Sequence, residues 1–583
     1  MASKNMGTLW LLAVLVCVAE LSANAQSFRV QCPTSTITHP DTTATQIVNS
    51  SEPAYNGPTV LASGTKGYLA PSSNVNGAIK CQQISGGDGY ATMGDGTQTY
   101  MFSFGPLSGL SKIASGQAGT GSPSEFNDVY LGTTPLQPGD PAKTIDPTGT
   151  YQFTGSFAFN GAVGQVPDLD NGGAINGHVD PRQMMDIGVM NGNIPAPLMA
   201  IDEDDEFFLT LSNVGMIMRP DLFEQHTVHF HGYPNASAFY DGVPDASVAI
   251  NIGASFTYYY LAPDAGTYFW HCHITPPEHL QMGMVGQLFV RPRQDRVPSG
   301  GSLYTYLGYQ NGISEPATNP TVDLRTACSP AADILCSATL PAGGATANTA
   351  TRAAANTLCS GASAPGLTPN YVYNDGDGST CYDVEYPIQM HGFDPNFHFV
   401  GMTFNPEMFV DMKDKYFLLN GRSYPDTVAA GPQATVSSDG QMHYSQPLPA
   451  IINIPAGGRA ALRLVNLSVS EYHTLQTLGV PMKEVGFNAK LLRDQGGMNT
   501  EFYTNSITLG GGESLDVILD ASDAGCGSVG CAARLYPAGS VFYVYSPNLD
   551  HLSNDAENFG GMMTEVHICT SVTGGNTFGN TCN

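Results

Sequence analysis

Short runs in which apolar and polar residues alternate recur between residues 96 and 292, interrupted by a Gly/Pro/Ser-rich stretch at about 105–185. Such alternation, broken by turn residues, is typical of half-buried β-strands. The predicted strands are 99–104, 195–201, 207–211, 228–230, 256–261, 267–270 and 285–290. No amphipathic helical pattern of useful length competes with them. The pattern therefore predicts an all-β domain.

A second β-rich block, about 401–570, reads as a degenerate copy of the first. Residues 472–479 align with 225–232, and residues 539–546 align with 266–273. An internal repeat indicates two similar units, here a pair of β-sandwiches. In this alignment only His226 has a histidine counterpart, His473, whereas Tyr545 stands at the position of Cys272. The alignment predicts that the second block has lost its metal.

The remaining segments predict a division into six parts. Residues 1–25 read as a secretion signal, because a positive charge, an apolar run and small residues precede Gln26. The others are an N-terminal extension (26–95), the first domain (96–293), a Cys-containing linker or insertion (294–400), the second domain (401–570) and a tail (571–583). No later apolar run has the length of a membrane span, so no transmembrane anchor is expected.

The charge balance limits the partners. The chain has a formal net charge of −28 and only 22 Lys and Arg among 583 residues. Such a surface repels nucleic acid and anionic lipid, and it would attract metal cations or basic proteins. Simple solubility outside the cell is the alternative explanation. With the signal, the composition predicts a secreted protein in the periplasm, on the outer surface or in the extracellular space.

The cysteine count also predicts export. Of twelve cysteines, Cys17 lies in the signal; if Cys272 is a metal ligand, ten remain, enough for five disulfides. The expected pairs are Cys526–Cys531, Cys32–Cys81 and Cys569–Cys582, with two further bridges among Cys328, Cys336, Cys359 and Cys381.

Six of the fourteen histidines lie between residues 226 and 279, around one cysteine. A thiolate, two imidazoles and a weakly bound methionine form the donor set of a blue-copper electron-transfer site. Cys272 can supply the thiolate, His226 and His279 the imidazoles, and Met284 the axial sulfur. The predicted type 1 copper site consists of these four residues.

The other four histidines form two pairs. His229 and His231 are two residues apart, as are His271 and His273, so each pair shares one face of a strand. One strand end can then present Cys272 to one metal and two imidazoles to a second. A hydrogen-bonded polar cluster is the alternative.

These motifs, His226-x-x-His229-x-His231 and His271-Cys272-His273 followed by His279 and Met284, resemble those of multicopper oxidases, nearest to bacterial two-domain forms with the type 1 copper in the first domain. The resemblance implies two cupredoxin-like Greek-key β-sandwich domains, with an N-terminal extension and a disulfide-rich linker outside it. It implies copper as the cofactor. It assigns His229, His231, His271 and His273 to half of a type 2/type 3 cluster, with Cys272, His271, His273 and Asp241 as the catalytic residues. In this assignment Asp241 relays protons, and a turn residue is the alternative.

Two departures keep other functions open. Five residues separate His273 from His279 where the laccase pattern has three, so Pro276-Pro277 is expected to make a bulged loop. A full cluster takes eight histidines from two domains, and the second block has no His-x-His pair. The possible further donors are the isolated His391, His398, His443, His473 and His551.

Three functions are compatible with this pattern. The preferred one is an oxidase that passes single electrons from a metal ion, an organic reductant or a cytochrome to oxygen. The second is a type 1 copper electron carrier with a broken cluster, and the third, ranked lowest, is a copper nitrite reductase. A homo-oligomer is possible in each.

Overall fold

The structure is a computed structural model that describes residues 32–40, 49–63, 69–109, 112–113, 116–126, 192–216, 219, 221–233, 237–301, 303, 368–401, 408–436, 442–494, 498–574 and 579–583. Strands dominate these residues, and the helices among them are short. The predicted all-β class is confirmed. The predicted signal segment 1–25 and the cysteines Cys328, Cys336 and Cys359 lie outside the described residues.

The first sandwich consists of two four-stranded sheets, preceded by a small hairpin of β1 (Val60–Ser63) and β2 (Leu69–Ser73). Its strands are β3 (Ile79–Thr92), β4 (Gln98–Pro106), β5 (Met199–Asp202), β6 (Glu206–Gly215), β7 (His229–Phe230), β8 (Ser255–Leu261), β9 (Gly266–His271) and β10 (Val285–Arg291). The strand orders are β4-β3-β6-β8 and β5-β10-β9-β7. One apolar core joins the sheets, with Phe104 and Leu209 from the first and Trp270 and Leu288 from the second.

The first sandwich begins earlier than the predicted boundary at residue 96. Strand β3 pairs with β4 on one side and β6 on the other, so it lies inside the sheet. Its sequence resembles a turn because it contains Gly86, Gly87 and Gly89 and several polar residues. In the structure these polar side chains, such as Gln82, are buried. The predicted Cys32–Cys81 disulfide is confirmed and ties the preceding segment to β3.

The second sandwich is larger. It contains β11 (Asn370–Tyr371), β12 (Cys381–Tyr382), β13 (Val384–Phe393), β14 (Tyr416–Leu419), β15 (Gln433–Val436), β16 (Met442–Ser445), β17 (Ile452–Pro455), β18 (Arg459–Asn466), β19 (His473–Leu478), β20 (Met482–Phe487), β21 (Lys490–Leu491), β22 (Phe502–Thr504), β23 (Ser506–Leu509), β24 (Ser514–Asp520), β25 (Val541–Tyr545), β26 (Met563–Cys569), β27 (Val572–Thr573) and β28 (Thr581–Cys582). Its main sheets have the orders β14-β13-β18-β24-β20-β21, with β22 on β20, and β17-β26-β25-β19-β23.

The boundaries of this sandwich also differ from the prediction. Strand β13 falls in the predicted linker, yet it is central in the larger sheet, parallel to β18. The predicted tail packs against the domain, because Tyr386 donates from its hydroxyl to Oδ1 of Asn580 at 2.6 Å. The Cys526–Cys531 and Cys569–Cys582 pairs are confirmed, and Cys381 is also disulfide-bonded.

The helices connect strands and carry little of the core. The α-helices are Pro123–Phe126, Pro276–Gln281, Pro395–Gly401, Asp523–Cys526 and Cys531–Leu535, and the 3-10 helices are Ala238–Tyr240, Arg293–Arg296, Phe409–Asp411, Asp426–Val428 and Leu549–Leu552. Across the described ranges, no helix combines the length and apolar character needed to cross a bilayer.

The two sandwiches share a buried polar interface. Gln287 donates from Nε2 to the carbonyl oxygen of Arg463 at 2.7 Å, and Thr267 donates to the carboxylate of Asp516 at 2.6 Å. Glu385 lies between Arg463 and Arg291, each 2.9 Å away. Paired and hydrogen-bonded, these charges are tolerated in a buried position. Strand β9, which ends just before Cys272, therefore lies against the second domain.

Candidate metal centres

Three of the predicted type 1 ligands meet at one end of the first sandwich. His226 precedes β7 and is bridged through its backbone to Ile250, whereas Cys272 directly follows β9. His279 lies in the helix Pro276–Gln281. One donor atom from each of His226, Cys272 and His279 lies within 4.8 Å of the others, and Nδ1 of His279 is 3.3 Å from Sγ of Cys272.

The backbone folds the Cys-His-Met segment into a closed loop. The N–H of Cys272 donates to the carbonyl oxygen of Met284 at 3.0 Å, and the N–H of Met284 donates to that of His279 at 2.9 Å. The side chain of Met284 is fully buried in the same core as Cys272. The expected bulged loop is instead a short helix, because Pro276 stands at a first-turn position where its fixed φ and missing N–H fit.

Burial favours the neutral form of each of these three side chains in the absence of a metal. Burial lowers the pKa of His279 to about 3, lowers that of His226 well below its usual value and raises that of the Cys272 thiol to about 11. Neither ring nitrogen of His226 has a hydrogen-bond partner among the described residues. A buried polar atom left unpaired is costly, so this ring fits the role of a metal ligand.

Glycine gives the His226 ring its space. A Cβ at Gly86 of β3 would lie 2.6 Å from Cδ2 of His226. Any other residue there would clash with the ring, which explains a glycine in the middle of a buried strand.

The other four histidines form a second group. Donor atoms of His229, His231 and His271 lie within 4.8 Å of one another, and the ring of His273 is centred 5.2 Å from that of His229. Nδ1 of His271 donates to the carbonyl oxygen of Cys272 at 2.6 Å, so its Nε2 faces the group, 2.9 Å from Nε2 of His231. Burial lowers the pKa of His271 to about 3 and that of His231 to about 4. Neutral imidazoles of this kind can bind a metal.

Asp241 lies at the edge of this second group. Nδ1 of His229 donates to the backbone oxygen of Asp241 at 2.7 Å, and the Asp241 carboxylate is 3.5 Å away. This contact fixes the His229 ring and leaves its Nε2 available. A carbonyl or carboxylate on the outer nitrogen is the usual way to orient a metal-binding histidine.

The second group borders the other domain, but no imidazole from the described residues of that domain joins it. Gly512 approaches so closely that a Cβ there would lie 3.2 Å from Nδ1 of His231. His391 and His398 are buried elsewhere, the latter bonded to the Tyr100 carbonyl oxygen. Within the described residues, His473 and His551 form a separate group with Glu471; the side chain of His443 is not described.

The strand register corrects the sequence alignment of the two domains. Gln476 pairs with Tyr545 as His229 pairs with His271, so Tyr545 corresponds to His271. The counterpart of Cys272 is therefore Ser546, whose N–H donates to the carbonyl oxygen of Met562 at 2.9 Å. The prediction that only His226 has a histidine counterpart is wrong, because His551 occupies the position of His279.

Comparison with known protein families gives a match within the first domain. Residues 175–295, which include both histidine groups, match the multicopper oxidase family. The chain is 35% identical over 121 residues to Laccase-1 of Emericella nidulans, covering 20% of this chain and 17% of that protein. It is 33% identical over 112 residues to Multicopper oxidase MCE of Talaromyces pinophilus, covering 19% and 17%.

A bacterial relative is similar to the same extent. The copper-containing nitrite reductase of Rhizobium meliloti is 33% identical over 121 residues, covering 20% of this chain and 29% of that protein. The relatives are thus fungal and bacterial, and the narrower likeness to bacterial forms stays a prediction. The blue copper oxidase structure from Nitrosomonas europaea is 19% identical with a TM-score of 0.38, covering 65% of this chain and 78% of that one.

Proposed function

We propose, on the premise that residues 175–295 form a multicopper oxidase domain, that the chain is a secreted copper-dependent oxidase. It would take single electrons from a reductant at a type 1 site of His226, Cys272, His279 and Met284. It would pass them through His271-Cys272-His273 to a second copper site and on to oxygen. The observation that carries the proposal is that Cys272 and His271, joined by one peptide bond, point into two different groups.

The donor set of the first group supports copper. One thiolate, two imidazoles and a buried thioether match the ligands of a blue-copper centre, and a soft sulfur donor disfavours magnesium or calcium. Copper, when bound, would supply the one-electron redox chemistry that none of these side chains can perform. The protein's part is to hold Cys272 and His279 3.3 Å apart in a dry core.

The second group supports a site with access from outside. His231 is exposed and His229 and His273 are half-buried, so a small molecule could reach them, whereas Cys272 is closed off. We infer that Asp241 relays protons at this edge, where its carboxylate lies 3.5 Å from Nδ1 of His229. A carboxylate near the place where oxygen is reduced would supply protons to the product.

The acidic surface favours a metal cation such as ferrous iron or manganese(II) as the reductant, because a net charge of −28 attracts cations. An organic reductant or a cytochrome remains the alternative donor. Export is supported by the three disulfides Cys32–Cys81, Cys526–Cys531 and Cys569–Cys582, which persist in oxidising compartments.

The second candidate is an electron carrier. It is favoured by one observation: within the described residues only four imidazoles meet in the second group, although the family's full cluster takes eight. Such a protein would exchange electrons at Cys272 without reducing oxygen.

Oxygen uptake separates the two candidates. The copper-loaded full chain is given ferrous iron, manganese(II) or a phenol, and dissolved oxygen is followed with an electrode. We expect uptake with at least one donor, and its loss in His271→Gln while the blue band persists. His567→Gln is the matched control, because His567 pairs with Glu565 on β26 of the second domain and belongs to neither histidine group. A blue wild-type protein that consumes no oxygen with any donor would make the chain an electron carrier.

A further inference from the structure

The second domain repeats the geometry of the first metal group. Nδ1 of His473 lies 3.4 Å from Nδ1 of His551, and their ring centroids are 5.0 Å apart; the centroids of His226 and His279 are 5.3 Å apart. Oγ of Ser546 is 3.4 Å from Nδ1 of His551, as Sγ of Cys272 is 3.3 Å from Nδ1 of His279. In their side-chain donor atoms, the two sets differ at one position, where the second domain has the oxygen of Ser546 and the first has the sulfur of Cys272.

The backbone repeats as well. The N–H of Ser546 donates to Met562, and the N–H of Met562 donates to His551 at 2.8 Å, which reproduces the closed Cys-His-Met loop of the first domain. The loop is longer, because ten residues separate His551 from Met562. Like the first-domain residues, His473, Ser546 and Met562 are fully buried.

The outer nitrogens of both rings have partners. Nε2 of His551 donates to the Glu471 carboxylate at 3.0 Å, and Nε2 of His473 bonds to the hydroxyl of Ser468. A carboxylate on the outer nitrogen orients an imidazole and strengthens it as a donor. Both Nδ1 atoms are thereby directed at the same space, beside Ser546 and Met562.

We propose that the second domain binds a divalent transition-metal ion through Nδ1 of His473 and His551, with Ser546 where the type 1 site has its thiolate. Two imidazoles with a hydroxyl suit copper(II) or zinc, and among divalent ions copper(II) binds such donors most tightly. Without a thiolate, the bound ion is not blue. Glu471, whose side chain is 38% exposed, connects the site to solvent.

This site differs from the one proposed for oxygen chemistry, and it stands whether or not the chain is an oxidase. The competing explanation is a metal-free chain of hydrogen bonds. In it, His473 donates from Nδ1 to Nδ1 of His551, and every ring nitrogen has a hydrogen-bond partner without a metal. Metal analysis separates the two explanations without any activity assay.

The full chain is loaded with copper(II), freed of excess ion by dialysis, and its copper content is measured. We expect His473→Gln and His551→Gln each to lose one ion per chain while keeping the blue band. The control His567→Gln, which removes a histidine bonded to a glutamate on β26, keeps the wild-type count. An unchanged count in a folded His551→Gln variant overturns the proposal.

A gain of colour provides the second test. In a Cys272→Ser chain, which is expected to be colourless, Ser546→Cys restores a thiolate beside two imidazoles and Met562. We expect an intense visible band on copper loading. Ser553→Cys is the control, because its hydroxyl donates to the Asp550 carbonyl oxygen and not to the histidines. A folded Ser546→Cys variant that stays colourless shows that these side chains do not converge on a metal, and overturns the proposal.

Discussion

Nε2 of His271 lies 2.9 Å from Nε2 of His231. The other nitrogen of His271 donates to the carbonyl oxygen of Cys272, so the ring directs a lone pair at its neighbour. Two such atoms repel each other unless a proton or a metal lies between them. Because Cys272 is the next residue and points into the other group, one strand end contributes side chains to both candidate metal groups.

Replacing Cys272 by serine is expected to abolish the blue colour of the copper-loaded protein. The intense band of a type 1 centre comes from charge transfer between thiolate and copper, and Cys272 is the one free cysteine in the described part of the chain. Visible spectroscopy measures this directly. A Cys272→Ser protein that kept the band would show that another sulfur binds the metal.

His279→Ala and Met284→Leu are expected to act differently. An equatorial imidazole holds the metal, whereas the axial thioether bond is weak and mainly tunes the potential. His279→Ala therefore loses the blue site, and Met284→Leu keeps the copper but has a higher reduction potential. Redox titration and copper analysis of both variants provide the test. Equal copper loss in both would mean that the helix Pro276–Gln281 places different ligands.

Copper binding at the first group is expected to release one proton. Burial raises the pKa of the Cys272 thiol to about 11, so the metal-free thiol is protonated at neutral pH, while His279, with a pKa of about 3, is already neutral. The affinity should rise about tenfold per pH unit from roughly pH 5 to 9. Calorimetry in buffers of different ionisation enthalpy counts the proton, with Cys272→Ser as control. No difference between the two proteins would contradict the prediction.

Glu206 is expected to stabilise the first domain against acid. Burial would raise its pKa, but hydrogen bonding and charge from His39, with Thr36, lower it from 4.5 to about 2. A carboxyl with a lowered pKa contributes stability that is present above pH 4.5 and lost as the pH falls towards 2, here about 3 kcal/mol. Denaturant unfolding of Glu206→Gln should show that loss at pH 7.

The matched control for this prediction is Glu565→Gln. Glu565 and His567 are 2.7 Å apart, as Glu206 and His39 are, but their side chains are 19% and 29% exposed instead of 2% and 1%. Solvent screening makes a partly exposed pair worth less than a buried one. Equal destabilisation by the two substitutions would show that burial of Glu206 is not the cause.

The clustering of side chains into the two candidate metal groups could be predicted from sequence because most of the residues are local. His229 and His231 share a strand face, and Cys272, His279 and Met284 lie on one short segment, so spacing alone brings them together. The second-domain group could not be predicted in this way. Ser546 stands where the first group has its cysteine, so no cysteine marks the second group. An alignment anchored on the aromatic residues of β25 is also displaced by one position, and it therefore does not reveal His551 as the counterpart of His279.

The boundaries of the sandwiches were less predictable for a different reason. A glycine is required at position 86 in β3 because the ring of His226 approaches it closely, and these two residues are distant in sequence. Polar side chains such as Gln82 are buried in β3 because neighbouring elements cover both faces of the strand. Neither effect leaves an alternating pattern, so the strand reads as a loop.

Copper-edge anomalous diffraction from crystals of the copper-loaded chain tests the central claim, two copper centres sharing one strand end, most directly. One peak is predicted among His226, Sγ of Cys272 and Nδ1 of His279, and another between the facing Nε2 atoms of His231 and His271. A fully loaded crystal with no peak at the second position would contradict the oxidase proposal, and one with no peak beside Cys272 would contradict the type 1 site itself.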